Sequence, residues 1–212
     1  MKVQNRTPKT RAFTLIEMIG VLAVIAILAA LLIPKIFEAI NNARVNNAAI
    51  SCQTVKTAIA DHYAKYGSIP VDGSGATPLP LTVPFVQYDK VLLKEGFLDK
   101  PFAVKIGDGT TNTIVQLVPA VATNTAAGPG TGAYNLDGDT TTTFPNDAPG
   151  SVVVEAVIVG VTANDAKDFN DRVDGPSLGA ALTVADNLGR VVYAAYPAGT
   201  ATNAVYVYLT HR

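Results

Sequence analysis

The chain is poor in the residues that build reactive centres. It has one cysteine, Cys52, no tryptophan, two methionines and two histidines in 212 residues. One cysteine excludes an intrachain disulfide. His62 and His211 stand in no metal or triad spacing, so the sequence gives no support to an enzyme. Cys52 reads as a core residue and His62, beside Tyr63, as an interface or surface histidine. Charge is nearly balanced, at 16 basic and 17 acidic side chains. No nucleic-acid partner is expected, because that binding wants a basic patch. Acids are absent from the first sixteen positions, where Lys2, Arg6, Lys9 and Arg11 make a basic leader.

After the leader come Phe13-Thr14-Leu15-Ile16-Glu17 and an apolar run to Ile33, in which Glu17 is the sole charge. Phe13 to Ile33 is 21 residues, or about 31 Å of helix, enough for a bilayer core of about 30 Å. A carboxylate at such a place costs roughly 2.5–3.5 kcal/mol on insertion scales and calls for a partner. Gly20, Ala23, Ala26, Ala29 and Ala30 allow close helix approach. A secretory signal places its apolar region before a small-residue cleavage site, whereas Ala12 precedes the apolar region here. Cleavage between Ala12 and Phe13 would remove the basic segment and keep the helix. The basic flank orients the amino terminus to the cytoplasm and the carboxyl-terminal bulk outside it.

Arg11-Ala12-Phe13-Thr14-Leu15-Ile16-Glu17, the apolar run and Pro34 together resemble the prepilin signature of type IV pilins and type II secretion pseudopilins. The resemblance is close over residues 1–66 and general beyond. It implies that a membrane peptidase cuts between Ala12 and Phe13 and methylates the Phe13 amine. It also implies that Glu17 pairs with the terminal amine of a neighbouring subunit during assembly. Two positions depart from the family's habit. Ala12 stands where Gly is usual before the cut, and Ala26 where a mid-helix Gly is common. The presence of Glu17 disfavours the tip pseudopilin type that lacks this acid.

Beyond Pro34, apolar residues recur at Ile36, Ile40, Ala43, Ala48, Cys52, Val55, Ile59, Tyr63 and Tyr66. These steps of three and four mark one helix face. The sequence therefore predicts a leader at 1–12, a membrane and assembly helix at 13–34 and its amphipathic continuation at 35–66. Pro34 is expected to kink the helix or loosen a turn, and Gly67 to end it. Residues 67–212 are expected to form one β-rich extracytoplasmic domain. Residues 68–84 read as a loop, Tyr88–Leu98 as a short helix, and Phe102–Ile106 and Thr113–Val118 as strands around a Gly107-Asp108-Gly109 turn. Ser151–Val161 is the best central strand and Ala163–Val173 a helix. Arg190–Tyr196 with Ala204–Leu209 reads as a closing hairpin. The fold class is α+β, a pilin-like long helix packed on an antiparallel sheet.

Residues 119–150 lack any basic residue and read as a long loop, functional or mobile. Asp137 and Asp139 are weak calcium candidates, because neither they nor the Asp165, Asp168, Asp171, Asp174 series match calcium-loop spacing. No cofactor is otherwise expected. Tyr193, Tyr196, Tyr206 and Tyr208 alternate as in sheet packing. Loss of the leader leaves 12 basic against 17 acidic groups, a net charge of −5. The resemblance implies a structural subunit of a pilus or secretion pseudopilus, held first in the bacterial inner membrane and then in a periplasmic or cell-surface filament. Its partners would be other pilins or pseudopilins, the prepilin peptidase, the inner-membrane assembly platform and, before assembly, lipid. The alternative is a minor, adhesive or DNA-uptake pilin whose globular domain binds a ligand.

Overall fold

The structure is a computed structural model that describes residues 13–70, 79, 87–107, 113–123, 125–139, 146–150, 152–179 and 181–212. Its elements are α1 (Leu15–Tyr66), α2 (Tyr88–Lys94), β1 (Ile114–Pro119), β2 (Val152–Thr162), α3 (Ala163–Val173), β3 (Val191–Tyr193) and β4 (Thr202–His211). They fall into two compact units, one ending at Asn42 and the other running from Ala43 to Arg212.

The first unit holds the start of α1, which stays helical through Pro34. Proline has no N–H to donate, so the Ala30 carbonyl loses its intrahelical partner there. The helix contains a window of mean hydropathy 2.8 with none of it buried, and is long and apolar enough to cross a membrane.

In the second unit the rest of α1 supplies one wall of the core. Val45, Ala48, Cys52, Val55, Ala58, Ile59 and His62 are buried along one face. This stripe differs from the expected one at both ends: Val45 rather than Ala43 is buried, and His62 is fully buried where Tyr63 packs only partly buried against the core. The facing wall is a four-stranded antiparallel sheet in the order β1-β2-β4-β3. The two long strands are therefore interior, as the β-branched run of β2 requires. Val154, Ala156 and Ile158 of β2, with Val205, Val207 and Leu209 of β4, face the same core as α1. Register shifts interrupt the β2–β4 ladder between Val154 and Glu155 and between Ile158 and Val161. Gly160 adopts φ +75° within the second of these, the local backbone that a bulge needs.

Two expectations change here. Phe102–Ile106 forms no strand, although Phe102, Val104 and Ile106 alternate into the core. The place beside β1 is taken by Gln87, which bridges Gln116. Moreover, the Lys105 carbonyl is claimed by Arg44 of α1, whose Nε donates to it at 2.8 Å. The helix at 88 is also shorter than expected, ending at Lys94 before Gly96 turns at φ +80°.

The described part of residues 119–150, expected as a long loop, lies folded over the sheet face away from α1. Tyr134 and Ala148 pack there with Val153 and Val192, and with the partly buried Tyr206 and Tyr208. The sheet is thus covered on both faces. The tyrosines divide accordingly: Tyr193 and Tyr196 join the α1-facing core, whereas Tyr206 and Tyr208 sit under the loop.

Candidate functional site

Ala12, the leader and the Asp108-Gly109 part of the turn lie outside the described residues. Phe13 is described and is 81% exposed. Thr14 precedes the first helical residue, and Glu17 stands three residues on. The Glu17 backbone N–H donates to Thr14 Oγ1 at 3.3 Å, and the Thr14 backbone N–H donates to Glu17 Oε2 at 2.7 Å. This reciprocal pair is a capping box, which satisfies two otherwise orphaned donors at the helix start. The Thr14 hydroxyl adds a third bond, to the same Oε2 at 2.8 Å. The sequence carried the S/T-x-x-E signal, but an acid at the head of a membrane run draws attention to its cost instead. Glu17 is therefore not a bare carboxylate, because its own helix supplies donors. A carboxylate accepts at two oxygens, so capping at one is compatible with a second partner.

From Glu17 the apolar surface runs on without cover. Met18, Val21, Leu22, Ile25, Leu28 and Leu32 are all exposed, along with most of their neighbours. The first charges after Glu17 are Lys35 and Glu38, which pair at 2.9 Å in solvent. An apolar surface this large on an isolated chain marks a membrane or protein contact.

A second polar centre lies on β2, and nothing in the local sequence points to it. Glu155 is buried in a β-branched strand under the 119–150 loop. Tyr134 of that loop donates its hydroxyl to Glu155 Oε2 at 2.5 Å, and Gln116 of β1 donates to Oε1 at 2.6 Å. Burial pushes the Glu155 carboxyl above its ordinary range, against the pull of these two bonds. Burial, then the Glu155 charge, pushes the Tyr134 hydroxyl up as well. An acid whose titration is raised by folding adds stability below its unfolded value of about 4.3, and that contribution fades as pH rises through the folded value. Thermal melts of the chain in detergent should therefore show Glu155→Gln flattening the fall in stability from about pH 4 towards neutrality. Unchanged pH dependence in the variant would mean that other groups set it.

The loop acids have structural employment. Asp147 Oδ2 accepts from the backbone N–H groups of Leu136 and Asp137, at 2.7 and 3.3 Å. Asp137 Oδ1 accepts from the Asp139 N–H at 2.9 Å, and Asn135 Oδ1 from the Gly138 N–H at 2.8 Å. Among the described residues no group of three or more His, Cys, Asp or Glu side chains gathers as a metal site. In the Asp165–Asp174 series, Asp171 pairs with Lys167 at 2.9 Å and Asp174 with Arg190 at 3.1 Å. Cys52 is buried and burial raises its thiol to about 12, so the reactive thiolate is suppressed. His62, expected at a surface or interface, is fully buried. Its ring fills a gap between Tyr66, Tyr88 and Phe97, aromatic neighbours supplied partly by residues far along the chain.

Residues 7–33 match the family model described as the prokaryotic N-terminal methylation motif, the signature of type IV pilins and pseudopilins. The match covers Ala12, Phe13, Glu17 and the apolar run. No curated protein and no solved structure matches the chain.

Proposed function

We propose that this chain is a structural subunit of a type IV pilus or type II secretion pseudopilus. In this reading a prepilin peptidase cuts between Ala12 and Phe13, the new Phe13 amine is methylated, and the subunit polymerises through its amino-terminal helix. One coincidence carries the reading: a methylation motif at 7–33 overlaps the start of α1, whose large apolar side chains from Leu15 to Ile33 are exposed. Such a surface needs lipid before assembly and other copies, or other pilins, afterwards. The assembly platform of the inner membrane would transfer it from one to the other, placing the second unit outside the cytoplasm. Glu17 then marks register. Leaving hydrocarbon, its carboxylate meets the Phe13 amine of a neighbour while Thr14 still holds the helix start.

The test is the mature amino terminus. Expressed with a prepilin peptidase, the chain should begin at Phe13 and carry one added methyl group on that amine, read by intact-mass and terminal sequencing. Without the peptidase it should retain residues 1–12. A leader kept in both cases, or a cut at another bond, would overturn the reading.

A further inference from the structure

Past the bilayer-length run, the apolar surface of α1 becomes one-sided. Ile36, Phe37 and Ile40 follow Ile33 at steps of three, four and seven, which is one helix face, and all are exposed. The opposite face carries Lys35, Glu38 and Asn42. Lys35 and Glu38 pair with each other at 2.9 Å, with both side chains largely in solvent. Phe13 to Ile33 already spans a bilayer core of about 30 Å, and Ile40 stands about 10 Å further along the axis. A helix among acyl chains is apolar all round, whereas a one-sided helix has an apolar neighbour on one side and water on the other. At that height the neighbour is protein, because the acyl chains have ended.

The same face is marked inside the run. Ala26, Ile33 and Ile40 stand seven apart, as do Ala29 with Ile36 and Ala30 with Phe37. Seven residues are close to two turns, so each bulky residue of the stripe has an alanine almost directly before it along the axis. The opposite line, again in sevens, is Glu17, Val24, Leu31 and Glu38. From Val24 onwards the run therefore has a side of small residues and a side of large ones, although both are apolar. In lipid, small residues are what lets two helix backbones approach. Two features, one within the bilayer and one beyond it, select the same face.

We propose that this face pairs two copies of the chain in the membrane before any filament forms. The pair is a parallel helix dimer, closed at Ala26, Ala29 and Ala30 within the bilayer and at Ile36, Phe37 and Ile40 beyond it. It rests on the membrane reading of the apolar run and adds a partner at a stage earlier than polymerisation. The occupant is a second copy because all copies cross the bilayer in one direction. Each residue of the face then meets its own counterpart at the same depth, about a two-fold axis along the bilayer normal. A different protein would have to match alanines in the bilayer and bulky groups past it. No charge stands in the contact. Lys35 and Glu38 neutralise each other on the far side, and Glu17 lies on that far line too, left for its role in the filament.

Cysteine cross-linking tests this on the full, unprocessed chain, made without prepilin peptidase or assembly platform and held dilute in vesicles of phosphatidylethanolamine and phosphatidylglycerol. In a Cys52→Ser background, single cysteines replace Phe37 or Ile40 on the proposed face and Lys35 or Glu38 opposite it, with copper phenanthroline as the oxidant. A disulfide needs Cα atoms within about 7 Å, so Phe37→Cys and Ile40→Cys should give on the order of tenfold more dimer than Lys35→Cys and Glu38→Cys. Adding Ala29→Leu should abolish that dimer, whereas Leu31→Ala should leave it. Equal cross-linking on both faces, a Phe37→Cys chain that stays monomeric, or a dimer indifferent to Ala29→Leu would overturn the pairing. Dimer that forms only when peptidase and platform are present would also overturn it, and would leave the filament reading standing. Chain washed from the vesicles by carbonate would overturn the membrane reading itself, and the pairing with it.

Discussion

Glu17→Ala is expected to insert in the membrane normally and to enter filaments on the order of a hundredfold less than the wild-type chain. Insertion is preserved because the apolar run alone is long enough, and removing an acid makes it easier. Under the proposed pairing, assembly suffers because the neighbour's Phe13 amine would be buried without its partner, at about 3–5 kcal/mol, which corresponds to at least a hundredfold. The capping box complicates a single substitution, since alanine also removes the bond from the Thr14 N–H. Two further variants separate the roles. Glu17→Gln keeps an oxygen to accept that bond but has no charge, and Thr14→Ala removes the hydroxyl that donates to Oε2. If the pairing reading is right, Glu17→Gln assembles almost as poorly as Glu17→Ala, and Thr14→Ala loses far less. Filament yield from Glu17→Gln equal to the wild type would assign the whole role to capping. Sheared-filament yield, normalised to membrane-inserted chain, is the measurement.

Asp174→Ala should cost the second unit about 2–6 kcal/mol, from two orphaned backbone donors at about 1–3 kcal/mol each. The Asp174 side chain is 2% exposed although it comes directly after α3. Its Oδ2 accepts from the backbone N–H groups of Arg190 and Val191, both at 2.7 Å, and its Oδ1 from Arg190 Nε at 3.1 Å. The Arg190 guanidinium also donates to the Val173 carbonyl. This clasp ties the end of α3 to the start of β3, a three-residue strand with little ladder of its own. It also explains Gly189, where a Cβ would stand 2.5 Å from Asp174 Oδ2. Melting temperature in detergent should fall by about 10 °C, at roughly 2–4 °C per kcal/mol for a domain of this size. Asp174→Asn retains one acceptor and should lose less. An alanine variant that melts with the wild type would show that β3 is held by packing alone.

Local signals in the chain were mostly sufficient for its local structure. α3 falls on Ala163–Val173 as expected, because Thr162 caps it by accepting from the Asp165 N–H and a β-branched strand runs straight into it. β2 and the β3–β4 hairpin were legible in their β-branched runs and in the Pro197 and Gly199 between the last two strands. The strand expected at Phe102–Ile106 shows the limit of such reading. Alternation says that a segment has an inner and an outer face, not that a partner strand is free to pair with it. Gln87 and Arg44 had taken the groups that a ladder would have used.

The sequence by itself determined the methylation motif at 7–33, with its basic flank, Phe13, Glu17 and an apolar run long enough to cross a membrane. Those features are contiguous, and their chemistry comes from composition and order along about thirty residues. Tertiary structure alone decided the rest. Glu155 meets Gln116 and Tyr134 across 39 and 21 residues, and His62 meets Tyr88 across 26. A buried polar residue is recognised by its partners, and partners that distant are brought together only by the fold. The described part of residues 119–150, expected as a long loop, covers the sheet for the same reason: its place is set by what Tyr134 and Ala148 pack against.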